Sequence, residues 1–291
     1  MAPQAPHAAL ALSAPALPHE VEDVVRAAID AGTLELPVMP RAMAQVLAAT
    51  SDPQCDARKL AELLRHDAAL SGHLLRIANS PLYAPATQII SVQQAVTRLG
   101  LAQVRQIALL ISCETTVFRV PGHEGAVREI FRHSLLTALF AQEIARARRW
   151  NVEEAFLAGL LHDLGRPVLL HALLAAHARL RRVPQTLAMA AFSDAEHARV
   201  GSLLLERWGL SPRLVEVVRH HHEPASAPNQ AQAAWVASYA DGIAHAALAG
   251  APALEATRTH PALAPLNLYA ADVDRLHAQR DRLVAAAESL Q

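Results

Sequence analysis

Cysteine is almost missing from this chain: Cys55 and Cys113 are the only two among 291 residues. Two thiols cannot build a disulfide framework, and a reducing compartment is the simpler expectation. Aromatic residues are also scarce, at 4% against 52% hydrophobic residues, so the apolar content is aliphatic and rich in alanine. That balance suits closely packed helices better than a sandwich or barrel, whose strands draw on aromatic and β-branched side chains. Neither sign of charge is in excess. With 26 basic and 27 acidic residues, composition indicates neither nucleic acid nor an anionic membrane as a partner, local basic patches aside. No apolar run reaches membrane-spanning length and Met1-Ala2-Pro3-Gln4-Ala5-Pro6 lacks a basic secretion signal, so a cytoplasmic location is expected. Gly-rich phosphate loops, internal repeats and a convincing strand set are missing too.

What is present reads as helix after helix. The length exceeds the usual single domain, so two domains or one large helical one are the leading expectations. The first 18 residues, alanine and proline with Pro3, Pro15 and Pro18, read as a disordered leader. From Glu20 the apolar spacing turns helical, and Gly32 ends that helix. Asp56 is a plausible N-cap, Asn79-Ser80-Pro81 closes a helix begun near Asp67, and Ser91 with Gln94 begins another that Gly100 stops. Ile107 to Ile111 fits buried helix or strand, with length favouring helix. Pro121-Gly122 is the candidate boundary between a helical subdomain at 19–120 and a second at 121–250, followed by a closing helical extension at 251–291.

The chemistry gathers in the second half. Leu160-Leu161-His162-Asp163-Leu164-Gly165 places an adjacent histidine and aspartate at the end of a helix that Asn151 caps. Neighbouring side chains leave a helix about 100° apart, so these two meet a common ion only if other segments close the shell. His133 faces inward with Ile130, Thr137, Phe140 and Ile144, and Glu129 precedes it by one turn. Ser193 with Glu196 has the form of a capping box, which places His197 in a first helical turn. Ser211-Pro212 starts the helix that runs into His220-His221-His222, and Asp241 lies among Ala237, Ala240 and Ala244. These imidazole and carboxylate donors, with no thiolate among them, suit Mn, Fe, Zn or Mg, as one or two ions. Each histidine alone has an ordinary structural explanation. One metal site explains them together.

The order His133, then His162-Asp163, then Asp241 resembles the HD superfamily of metal-dependent phosphohydrolases. His197 and His221-His222-Glu223 look like the wider ligand set of binuclear HD-GYP-type sites, in which Asp163 would bridge two ions and Glu129 would add a ligand. Pro224-Ala225-Ser226 stands where the Gly-Tyr-Pro segment would follow. A closer resemblance covers Leu36 to Ala247. Leu36-Pro37-x-x-Pro40, Leu74-Leu75-Arg76-Ile77-Ala78-Asn79-Ser80, Arg98-Leu99-Gly100, Gly159 to Gly165, and Glu196-His197-x-x-Val200-Gly201 with Trp208 look like the HDOD (HD-related output domain) family.

That resemblance implies an all-α protein, a helical N-terminal subdomain followed by an HD-type bundle, acting in bacterial signal transduction. The HD and HD-GYP resemblance implies metal ligands at His133, His162, Asp163, His197, His221, His222 and Asp241, with Glu129 as a further one; many HDOD members have lost such ligands and are regarded as non-catalytic, whereas this chain keeps them. Asp163 would be central to any catalysis, and Arg166, where catalytic relatives often carry lysine, would contact phosphate. Two classes stay open: a regulatory module working through other signalling proteins, with a nucleotide or cyclic dinucleotide as candidate ligand, and a metal-dependent phosphohydrolase.

Overall fold

The computed structural model describes residues 17–83, 85–184 and 186–290. The expected leader lies outside the described residues except for Leu17 and Pro18. Every regular element among them is helical: α1 (His19–Asp30), α2 (Arg41–Ser51), α3 (Ala57–Arg65), α4 (Ala68–Ala78), α5 (Val92–Ser112), α6 (Glu124–Arg148), α7 (Val152–Leu161), α8 (Gly165–Arg179), α9 (Thr186–Arg207), α10 (Pro212–His220), α11 (Ala231–Ala249), α12 (Ala251–Ala256), α13 (Ala270–Ala278) and α14 (Arg280–Ser289). The all-α expectation therefore holds.

Local chemistry sets the ends. Asp56, Asp67, Ser91 and Ser211 each accept a backbone N–H three residues ahead, satisfying donors that a helix start leaves unpaired. Gly100, at φ 81°, breaks α5 where a side chain would be strained. Residues 107–111 are buried helix. The carboxamide of Asn79 bonds both the N–H and the carbonyl of Ile89 at 2.8 Å, pinning the irregular segment between α4 and α5.

Helices α2, α3 and α4 pack on α5. In the second half α6 packs on both α7 and α11, which also touch each other, and α8 pairs with α9 and α9 with α10. One continuous cluster of buried apolar residues crosses the Pro121-Gly122 punctuation. Helix α1 buries Val21, Val25 and Ile29 and packs against α8, in the later half. Trp208, in the turn after α9, donates its indole N–H to the Pro37 carbonyl at 2.9 Å, tying the Leu36-to-Pro40 turn to that half as well. The closing extension carries α12 and ends in α13 and α14, which meet at Gln279.

Small residues allow the close approaches that build the later half. A Cβ on Gly159 would lie 2.6 Å from Ala138 Cα on α6. One on Gly165 would lie 2.0 Å from the His197 carbonyl oxygen on α9. The first contact seats the helix that leads into His162, and the second seats Asp163 beside His197.

Candidate metal centre

His162 and Asp163 occupy the short turn between α7 and α8, so both side chains leave the helix axis toward the same interior point. His133 comes from the middle of α6 and Asp241 from the middle of α11; their contact is His133 Nε2 to Asp241 Oδ1 at 2.9 Å. Ala237, Ala240 and Ala244 around Asp241 are fully buried, and their small size lets α11 approach α6. His162 Nε2 stands 3.5 Å from Asp163 Oδ2 and 3.7 Å from Asp241 Oδ1.

The second group of donors surrounds the other oxygen of Asp163. His197 Nε2 lies 3.2 Å from Asp163 Oδ1, 3.3 Å from His221 Nε2 and 2.9 Å from His222 Nε2. Three sets of donors each fall within 4.8 Å of one another: His133, His162 and Asp241; His162, Asp163 and His221; His197, His221 and His222. Asp163 thus stands between two groups of imidazoles. His220 turns away and bonds Ser226 through Nδ1.

Orientation of the imidazoles fits a cation. His162, His197 and His221 each direct Nδ1 at a backbone carbonyl, of Gly159, Ser193 and Val218, at 2.7, 2.9 and 2.7 Å. With the proton on Nδ1, Nε2 keeps its lone pair and aims it inward, the second-shell arrangement that metal-ligating histidines use. His162 Nε2 is buried and makes no hydrogen bond in the protein. A divalent ion at that point would satisfy an atom that protein alone leaves unmet, so the residues fit the group.

Without an ion, the site's charges push the groups apart in pKa. Burial opposes a charge on His162, but Asp163 beside it, helped by Asp241, outweighs burial and raises the imidazolium to about 9. Burial lowers His197 to about 4 and His221 to about 3. Burial alone would raise Asp163, yet the His162 imidazolium and the Arg166 guanidinium hold it well below the carboxylate range.

A pH dependence follows for metal-free protein. His197 and His221 have folded pKa values below the ordinary 6.5, so their stabilising effect is complete above 6.5 and is lost as pH falls toward 4. His162 is protonated in both states below 6.5 and adds no slope there. Unfolding near pH 5 should take up about two protons at these two imidazoles, a slope of about 2.7 kcal/mol per pH unit, to which His222 and His245, lowered by burial to about 3 and about 4, add in the same direction. Urea titrations of chelator-treated protein at pH 6.5, 5.5 and 4.5 check this, and a pH-independent midpoint would contradict it.

Not every expected residue joins. Glu129 stands apart from the three donor sets: its carboxylate pairs with Arg132 Nη2 at 3.0 Å and its side chain is 63% exposed. It lines the cleft beside His133, one turn earlier on α6. The expected capping box at Ser193 is a correction. Helix α9 already begins at Thr186, so Ser193 and His197 sit inside it, and Glu196 pairs with Arg26 of α1. Arg166 Nε holds Asp163 Oδ1 at 2.8 Å and Nη1 pairs with Asp194, which fixes its guanidinium on the cleft wall.

Sequence reasoning passed over His245. It stacks on His133 with ring centroids 3.9 Å apart, and its Nε2 is 3.3 Å from Asp241 Oδ1. The available signal was its position four residues after Asp241 on one helix. A cleft of about 1110 Å³ opens onto the centre, lined by His133, Asp163, Arg166, His222 and His245 among others.

This constellation in an all-helical frame is that of an HD-type domain, and the chain belongs to the HDOD domain family, whose profile matches residues 36–224. The fold is shared with solved proteins. A candidate metal-dependent phosphohydrolase from Shewanella amazonensis SB2B superposes with a TM-score of 0.70 at 21% identity, covering 94% of this chain and 99% of that one. An HDOD domain protein of unknown function from Geobacter sulfurreducens gives 0.70 at 22%, covering 94% and 98%. A candidate signal transduction protein from Marinobacter aquaeolei VT8 gives 0.67 at 21%, covering 96% and 67%. An uncharacterised protein of Treponema pallidum (strain Nichols) is 23% identical over 204 residues, 67% of this chain. The chain spans 39% of that relative's length. No helix among the described residues is long and apolar enough to cross a membrane.

Proposed function

We propose that this chain is a regulatory protein of bacterial signal transduction in the cytoplasm, whose HD half holds one or two divalent ions and which acts by contact with other signalling proteins. The observation that carries the metal part is the convergence of His133, His162, Asp163, His197, His221, His222 and Asp241, three of them with Nε2 aimed inward by a backbone carbonyl. Oxygen and nitrogen donors without sulfur favour Mn, Fe, Zn or Mg. All three donor sets lie between His133 and Asp241, which leaves α2 to α5 as packing and docking surface.

A second reading, a metal-dependent phosphohydrolase, is favoured by the cleft itself. Divalent ions in such a site lower the pKa of water toward neutrality and neutralise charge on a phosphoryl oxygen. The chain's own contribution would be positional. Asp163 fixes the Arg166 fork at the cleft wall, where it suits a phosphoryl group better than a point charge would.

Metal analysis of purified protein, followed by turnover of bis(4-nitrophenyl) phosphate after Mn loading, separates the readings. The regulatory reading expects one or two equivalents of metal with hydrolysis at the background rate. Turnover that Asp163→Asn abolishes moves the assignment to the hydrolase. A chain that takes up no Mn, Fe or Zn contradicts the metal centre in both.

A further inference from the structure

The cleft continues past the imidazoles. On α9 it is lined by Asp194, Ala195, Ala198 and Arg199, and α10 adds Arg219. Positions 194, 195, 198, 199 and 202 share one face of a helix. At the centre's end of that face Asp194 holds Arg166. At the other end Ser202 accepts from Arg219 Nε at 3.1 Å. Five residues at the helical rise separate Asp194 from Arg199, about 7.5 Å. On the cleft face Ala195 and Ala198 lie between them, an uncharged floor.

Both distal arginines are held by partners that water already weakens. Arg199 pairs at 2.7 Å with Asp30, the last residue of α1, whose side chain is 58% exposed. Its other carboxylate, Glu196, is 3.9 Å away. Arg219 meets Glu206 at 3.5 Å, with both side chains about half exposed. Exposed pairs of this kind contribute little, so an anionic ligand group can displace either carboxylate.

We propose that Arg199 and Arg219 form a second anion subsite at the far end of the cleft, so that the cleft takes an elongated ligand with two separated phosphoryl groups. In that arrangement one phosphoryl group lies at the imidazole cluster beside Arg166, the body of the ligand rests on Ala195 and Ala198, and the second phosphoryl group replaces Asp30 on Arg199. Placing the first group rests on the metal reading above; the second subsite does not.

Calorimetric titration of the Mn-loaded full chain with adenosine 5′-monophosphate and adenosine 3′,5′-bisphosphate tests it. The bisphosphate should bind about 10-fold more tightly, as expected for an added charge-assisted contact. Arg199→Gln and Arg219→Gln should each remove most of that advantage while leaving the monophosphate unchanged. Asp30→Asn should strengthen the bisphosphate by about 3-fold, because the internal competitor is gone. Equal affinities in the parent chain, arginine variants that weaken both nucleotides alike, or no binding of either one overturns the subsite. A chain that takes up no Mn yet prefers the bisphosphate through Arg199 keeps the subsite and overturns the metal reading instead.

Discussion

Asp163→Asn should lower affinity for Mn by more than about 100-fold. Substitutions of groups that merely orient a ligand cost 10- to 100-fold, and Asp163 stands in the first position, with one oxygen 3.2 Å from His197 Nε2 and the other 3.5 Å from His162 Nε2. The amide keeps the shape and removes the charge that both donor groups share. It also leaves the Arg166 guanidinium, held by Asp163 Oδ1 at 2.8 Å, without that countercharge, so the metal-free variant should be less stable as well. Two controls separate the effects. Glu129→Gln should leave Mn affinity unchanged, because that carboxylate faces Arg132. Folded Asp163→Asn protein, confirmed by circular dichroism, should show the affinity loss at a temperature well below its own midpoint. Competition with a fluorescent chelator reads all three proteins, and equal affinity of Asp163→Asn and parent would remove Asp163 from the centre.

Gly165→Ala should destabilise the fold by more than about 3 kcal/mol, lowering Tm by about 10 °C in a chain of this size. The added methyl would lie 2.0 Å from the His197 carbonyl and 2.8 Å from the Gly201 backbone nitrogen, both main-chain atoms that cannot rotate aside. Helices α8 and α9 would have to separate, carrying His197 away from Asp163. Gly72→Ala is the contrast: it is exposed on α4, nothing lies within 4 Å of its added methyl, and the change should raise stability by about 0.5–1 kcal/mol through helix propensity. Thermal melts of the two variants decide the point. Gly165→Ala melting like the parent would mean that the two helices are not in the contact described.

Much of this architecture was legible because helix ends carry local chemistry. Asp56, Asn151, Ser211 and Gly100 signal their roles within four residues of chain, and the structure uses each of them. The His-Asp turn was legible for the same reason, standing between two helices whose limits are punctuated. Features that depend on distant partners were not. Ser193-x-x-Glu196 has the form of a capping box, yet Glu196 answers to Arg26, 170 positions away, and the helix starts seven residues earlier. Glu129 shares a helix with His133, but the partner of a flanking carboxylate is decided by what packs there, and Glu129 pairs with Arg132. His245 had no signal beyond its spacing from Asp241, since its neighbour His133 lies on another helix. Nothing local to residues 19–30 says that this helix belongs against α8 rather than against the helices that follow it in sequence.

The account stands on the convergence of donors around Asp163. Diffraction from crystals grown with Mn and collected for its anomalous signal tests that most directly. It should place one or two ions within coordination distance of Asp163, with His133, His162 and Asp241 on one side and His197, His221 and His222 on the other. An anomalous map with no peak among these side chains, from protein shown to be folded and crystals shown to contain Mn in the solvent, would contradict it.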